Sequence, residues 1–221
     1  MAKKQVAVIG LGRFGSSVAR TLYQIGHDVL AIDNNDKAVQ SLVGQVTYPV
    51  KADATDEAAL REMGVSNFDV AVVAIGGDLQ SSLLTTVLLK RLGVPYLIAR
   101  AQNELHGATL EKLGADNVVY PEGDMGVQVA HSLGYKNVLD YTVVGQNYGV
   151  VKLKLPDRYV GMTLEEAGLS LQSKSSIAAL LVKRGNDVIL MPDRFERIQE
   201  GDIFVVAGKD EQLEKLQATS V

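Results

Sequence analysis

The stretch VAVIGLGRFGSSVARTL, Val6 to Leu22, passes from an apolar run through three glycines into a segment of helical periodicity. In Gly10-Leu11-Gly12-Arg13-Phe14-Gly15 the first glycine suits a tight turn and the second lets the backbone approach a pyrophosphate. The third lets a helix pack close against a strand. Phosphates would then rest on the amide end of that helix, where the dipole favours an anion. GxGxxG alone is a weak signal, but here VAVI precedes it, a helix follows, and Asp33 stands 18 residues after Gly15 at the end of AID. A carboxylate there accepts hydrogen bonds from ribose hydroxyls and repels a 2′-phosphate. The stretch predicts a mononucleotide or dinucleotide site and disfavours NADP.

Outward from this turn, apolar runs alternate with helical segments, the pattern of a parallel sheet buried on both faces. Strands are expected at Gln5–Ile9, Asp28–Ile32, Val46–Lys51, Val70–Ala74, Tyr96–Ala99 and Asn117–Tyr120. Helices are expected near Phe14–Gln24, Lys37–Gly44, Glu57–Met63, Leu79–Leu92 and Glu104–Leu113. Right-handed crossovers make this a Rossmann-like, doubly wound α/β sheet. Gly26, Gly64, Gly93 and Gly114 follow helical runs as C-terminal caps, and Asp53, Asp56 and Asp78 precede helical stretches as candidate N-caps. LQSSLLTTVLLKRL reads either as a helix sandwiched in the core or as one packed on a second subunit.

After Tyr120 comes one more amphipathic helix, with Met125, Val129 and Leu133 at four-residue spacing, and then the βα rhythm stops. Short strands follow in LDYTVV, YGVVKLKL, SIAALLVKR, DVILM and DIFVVAG, with a short helix in TLEEAGLS and a closing helix in DEQLEKLQ. The domain boundary is placed near Asn137, giving a nucleotide-binding domain over 1–136 and a smaller α+β subdomain over 137–221.

Composition narrows the function. The 221 residues are 47% hydrophobic, and 22 Lys and Arg stand against 26 Asp and Glu, a balance that does not suit a nucleic-acid partner. There is no cysteine, which removes disulfides, thiolate metal sites and a Cys nucleophile. The apolar run after MAKKQ is too short for a signal peptide or a membrane span. A cytoplasmic chain is expected, without direct membrane insertion.

Arg13 sits where dehydrogenase fingerprints often carry small or apolar residues, and its guanidinium suits phosphate oxygens. Arg100 ends the fifth strand, Asp53 follows the third, and Ile75 and Gly76 follow the fourth; all fall on the carboxyl-end rim of the sheet. Phe14, Asn34 and Ala74 complete the set of cleft residues. A hydride-transferring enzyme also needs a proton donor or acceptor at the nicotinamide. His27 lies in a turn, His106 at the exposed start of a helix and His131 on the helix after Tyr120, so none is placed for that work. Lys183-Arg184 and the EEAGLS charges read as solvated faces. The sequence points to binding rather than catalysis, with two alternatives: a small NAD-dependent oxidoreductase, or a nucleotide-binding adaptor of another membrane protein.

Taken together, VIGLGRFGSSVARTL, AID, ADATDE, VVAIGGDLQSSLLTTVLLKRLGV, ARAQNELHGATLEKLGAD and VVYPEGDMG resemble the RCK (KTN) regulatory subunits of Trk/Ktr-type potassium uptake systems, of the KtrA/TrkA kind. IQEGDIFVVAGKDEQLEKL resembles that family's C-terminal subdomain. The resemblance implies a homo-oligomer, dimers assembled into an octameric ring, at the cytoplasmic face of the membrane beneath a TrkH/KtrB-like potassium transporter. It implies switching by adenine nucleotides, ATP favouring the conducting state and ADP the closed one, with NAD(H) in the same cleft in some relatives. By the same resemblance Gly10, Gly12 and Gly15 bind phosphate, Asp33 the ribose, and Asp53 with Ala54 the adenine. Arg13 reaches the terminal phosphate of a nucleotide on a neighbouring subunit, Arg100 stands near the phosphates, and Glu122 lies near the nucleotide and a divalent cation such as Mg²⁺. Some relatives bind cyclic di-AMP between C-terminal subdomains; this chain has Gln172 where several of those carry an arginine, and no such site is assigned.

Overall fold

The structure, a computed structural model, describes residues 2–134, 137–173 and 175–217. The side chains of His131 and Leu133, and Lys136 at the expected boundary, lie outside the described residues. The chain divides into two compact units, Met1–Gly123 and Asp124–Val221. That division falls inside a helix, ahead of the place where the βα rhythm ends in the sequence.

The first unit is built from β1 (Gln5–Ile9), α1 (Arg13–Gln24), β2 (Asp28–Asp33), α2 (Asp36–Gln40), β3 (Tyr48–Lys51), α3 (Glu57–Glu62), β4 (Val70–Val73), α4 (Leu79–Arg91), β5 (Tyr96–Arg100), α5 (Glu104–Lys112) and β6 (Asn117–Val119). All six strands are parallel, in the order β3-β2-β1-β4-β5-β6, which is the Rossmann order. Alternation along β1 fills both faces. Ala7 and Ile9 pack with Leu60 of α3, Leu88 and Leu89 of α4 and Leu110 of α5, whereas Val6 and Val8 pack with Ala19 of α1 and Val39 of α2. A strand so placed must be apolar on both sides, which is why VAVI reads as it does.

Local chemistry sets the element ends. Asn35 caps α2, its side chain accepting from the amides of Lys37 and Ala38; Asp56 and Asp78 cap α3 and α4. Asp53 caps no helix: its carboxylate accepts from the amide and hydroxyl of Thr55, at 2.9 and 2.7 Å, closing an Asx turn. Gly26, Gly64, Gly93 and Gly114 all have positive φ. The expected helix over 37–44 is shorter, because turns replace it after Gln40, and β3 begins at Tyr48, later than the expected Val46. On α4 the hydroxyl residues Ser82, Thr85 and Thr86 are buried while Leu79 and Leu84 are exposed. Thr85 Oγ1 donates to the carbonyl of Ala54 and Thr86 Oγ1 to that of Ser82, which is how the two threonines tolerate the core; the buried Ser82 hydroxyl has no hydrogen-bond partner among the described residues.

α6 (Pro121–Gly134) leads into the second unit, which holds β7 (Val138–Gly145), β8 (Tyr148–Lys154), β9 (Ile177–Arg184), β10 (Asp187–Leu190), β11 (Ile203–Lys209) and α7 (Asp210–Gln217). The strands form one antiparallel sheet, β10-β9-β11-β8-β7. Phe204, Val206, Leu153 and Val182 form its core with Leu213 and Leu216 of α7, and Tyr141 Oη donates to Asp210 at the head of that helix.

Two expectations fail in this unit. TLEEAGLS forms no helix: Thr163 and Glu166 exchange amide-to-side-chain bonds as a capping box would, but Gly168 turns left-handed at φ 71° and stops the chain after one turn. Arg184 is not a solvated charge. Its Nε and Nη2 donate to the two oxygens of Asp202 at 3.0 and 2.8 Å, Nη1 donates to Glu196, and Nη2 also donates to the carbonyl of Arg197. The Asp202 side chain is 1% exposed and directly precedes β11, which pairs with β9, the strand that Arg184 ends; the two lie 18 residues apart in sequence, so the pair stays hidden from local reading. Asp202→Ala is expected to lower stability by about 2 kcal/mol, less than the roughly 3–5 kcal/mol of a wholly buried pair because Arg184 keeps some water; urea unfolding measures it.

Candidate functional site

The functional geometry begins where β1 stops. Gly10 has φ 90°, and a Cβ there would lie 2.8 Å from the amide nitrogen of Ile75, so the turn crosses the end of β4 with no room for a side chain. Gly10 N–H donates to the carbonyl of Ile32 at 2.8 Å, and Ala74 N–H donates to that of Ile9 at 2.7 Å, fastening the turn between β2 and β4. α1 then starts after Gly12, its N-cap residue, with no side-chain cap. A Cβ on Gly15 would collide with the carbonyl oxygen of Gly10, so this residue brings the helix onto the strand end.

Asp33 anchors the other wall. Oδ2 accepts from the amide of Leu11 at 2.6 Å and Oδ1 from the amide of Asn35 at 2.8 Å. One carboxylate thereby ties the glycine turn to the end of β2, while Asn35 does the capping.

These walls enclose a cleft of about 370 Å³ at the carboxyl ends of the strands, within the usual size of a small-molecule site. It lies where the strand order reverses, with β1 flanked by β2 and β4, the crevice in which such sheets take ligands. Gly10, Gly12, Arg13, Phe14, Asp33, Asn34, Asp53, Ala54, Ala74, Ile75, Gly76, Arg100 and Glu122 all line it. Gly15 alone among the expected residues does not; its work is packing. Sequence reading missed Thr55 and Ser81 as lining residues and took Asp78 for a cap only. Ser81 Oγ donates to Asp78 at 2.5 Å, a D-x-x-S arrangement that was open to reading in GGDLQSS.

Charge is arranged at one end. Arg13 is exposed on the first turn of α1. Arg100 reaches Glu122 with Nη2 at 2.5 Å and Nε at 3.3 Å, and its guanidinium occupies the space a Cβ on Gly76 would need. Arg100 chiefly, with a contribution from Arg13, holds the Glu122 carboxyl below the usual carboxylate range. The bond to Thr55 does the same for Asp53. His106 is buried, 3% exposed, contrary to expectation. Its Nδ1 accepts from the amide of Gln102; burial first, and the Arg100 charge second, depress its pKa, which favours the neutral imidazole. Among the described residues no group of three or more His, Asp or Glu is placed to hold a metal. Glu122 therefore offers one carboxylate, which fits a Mg²⁺ carried largely by phosphate oxygens and water rather than a protein cage.

The TrkA-N domain profile matches residues 6–121 and the TrkA-C domain profile matches residues 150–220. This chain belongs to the TrkA family. Within that family it is 39% identical to Ktr system potassium uptake protein A of Bacillus subtilis (strain 168), over 97% of this chain and 96% of that one. It is 40% identical to the same organism's Ktr system potassium uptake protein C, over 93% and 92%. Its TrkA fold is similar to that of the GsuK RCK domain, with a TM-score of 0.66 at 19% identity, covering 100% of this chain and 49% of that one. The chain thus spans about half the length of that solved protein. No helix among the described residues is long and apolar enough to cross a membrane.

Two glycines of this TrkA cleft separate by their surroundings. Gly15→Ala meets backbone and is expected to cost about 3 kcal/mol, read as a fall in thermal midpoint. Gly76→Ala meets only the far end of a flexible side chain, so it is expected to melt within about 0.5 kcal/mol of the parent while expelling the Arg100 guanidinium.

Proposed function

We propose that this chain is a cytoplasmic, non-enzymatic regulatory subunit of a potassium transporter, switched by the adenine nucleotide in the cleft of its first unit. The observation that carries this reading is the pairing of a bare glycine turn with Arg100 at one end of the cleft, beside the exposed Arg13 on the first turn of α1. The names of the Ktr relatives supply the transporter as partner, and a neighbour in fold is described as the GsuK channel bound to NAD.

In this reading the amides at the start of α1, beside Gly10 and Gly12, meet phosphate oxygens. Asp33, already fixed by two amides, offers its remaining lone pairs to ribose hydroxyls. Asp53 and Ala54 border the adenine, and Phe14, Asn34, Ala74 and Ile75 wall the cleft between. Arg13 extends from an exposed helix turn, free to serve the terminal phosphate of a nucleotide held by a neighbouring copy in a dimer or an octameric ring. Mg²⁺, when bound with the nucleotide, neutralises phosphate charge, and Glu122 is the carboxylate that would face it.

The third phosphate of ATP gives Arg13 a partner that ADP lacks, and a charge-assisted bond of this kind contributes about 1.5–3 kcal/mol. Moving a population from 1:99 to 99:1 requires about 5.5 kcal/mol, more than one contact supplies. Equivalent sites in a closed ring act together and supply the rest.

Potassium flux into liposomes containing the transporter and this chain is expected to be higher with ATP than with ADP, and equal flux would refute the switch. Arg13→Ala is expected to shrink the preference for ATP over ADP by about tenfold or more, with the fold intact; calorimetry reads both affinities.

A further inference from the structure

The Arg100 guanidinium is seated by the protein's own groups. It lies against Gly76, and Gln102, two residues along, donates through Nε2 to the carbonyl of Gly76. The loops after β4 and β5 are therefore joined beneath it. The Arg100 side chain is 16% exposed, so its donors have few directions left, whereas Glu122 is 62% exposed.

Both oxygens of Glu122 accept from this one guanidinium. A phosphate presents two oxygens to the same fork in the same way, so the two anions are alternatives for Arg100. Glu122 is the second residue of α6, where a carboxylate released from Arg100 still has the positive end of a helix beside it. Leaving is therefore inexpensive for Glu122, and the pair, being largely exposed on the carboxylate side, is a weak one.

We propose that Glu122 is a tethered competitor for the phosphate end of the cleft, occupying Arg100 until a guest's phosphate takes its place. This rests on reading the cleft as a nucleotide site. Guests without phosphate leave the pair intact. Guests with several phosphates break it, and in doing so they free the first turn of α6, the helix within which the chain passes from one unit to the other.

A mutant cycle read by calorimetry in EDTA, which removes divalent cations from the comparison, tests this. The full chain, Glu122→Gln, Arg100→Gln and the double variant are each titrated with ATP, inorganic tripolyphosphate and adenosine. Glu122→Gln is expected to tighten ATP and tripolyphosphate by about threefold and to leave adenosine unchanged. That gain is expected to vanish when Arg100 is already Gln. A gain that persists undiminished in the Arg100→Gln background would mean simple repulsion between Glu122 and the guest, and would overturn the competition. So would a Glu122→Gln protein that binds ATP no better than the parent. Tripolyphosphate responding as expected while ATP and adenosine fail to bind would sink the nucleotide reading and leave the competition standing. As a readout independent of the Arg100 variant, the Arg100 Nε–H resonance of the unsubstituted chain is expected to shift on adding tripolyphosphate and not on adding adenosine.

Discussion

The contact on which the first unit depends is the approach of α1 to the end of β1, so close that Gly15 must lack a side chain to clear the Gly10 carbonyl. With a bulkier residue there the helix would stand off, and its amide end would no longer border the strand ends. The Ile32 carbonyl that holds Gly10 and the Ala74 amide that holds Ile9 would then grip a turn with nothing beneath it. The cleft is thus a by-product of tight packing, and its walls are backbone before they are side chains.

What the sequence displayed best was what repeats locally. Short apolar runs such as VAVI, alternating with helical segments, gave the sheet type, the glycine spacing and Asp33 gave the cleft, and the rim positions followed from parallel order. Arg100 and Asp53 could be placed because each ends or follows a strand, and parallel strands bring their ends to one rim. Glu122 could not be placed this way. Its partner lies 22 residues earlier and its helix begins after the last strand, so only the family likeness brought it to the cleft.

Two of the misreadings share a cause: burial decided by tertiary neighbours. His106 stands at a helix start, normally a wet position, yet its surroundings close over it. Arg184 looks like half of a basic pair until Asp202, 18 residues on, meets it inside the second unit. The TLEEAGLS segment carries a proper helix start, and a single left-handed glycine five residues later ends it. Pattern reading weighs starts more readily than stops, and here the stop prevailed.

Asp33 carries a last implication. Its carboxylate clasps Leu11 and Asn35 at once, so exchanging it for a residue that welcomes a phosphorylated ribose would also let go of the glycine turn. Taste and scaffold are soldered at one side chain. On the proposed reading of Asp33 as the ribose contact, a lineage drifting toward a different sugar would first have to rebuild its loop, and the preference is hard to lose by single steps.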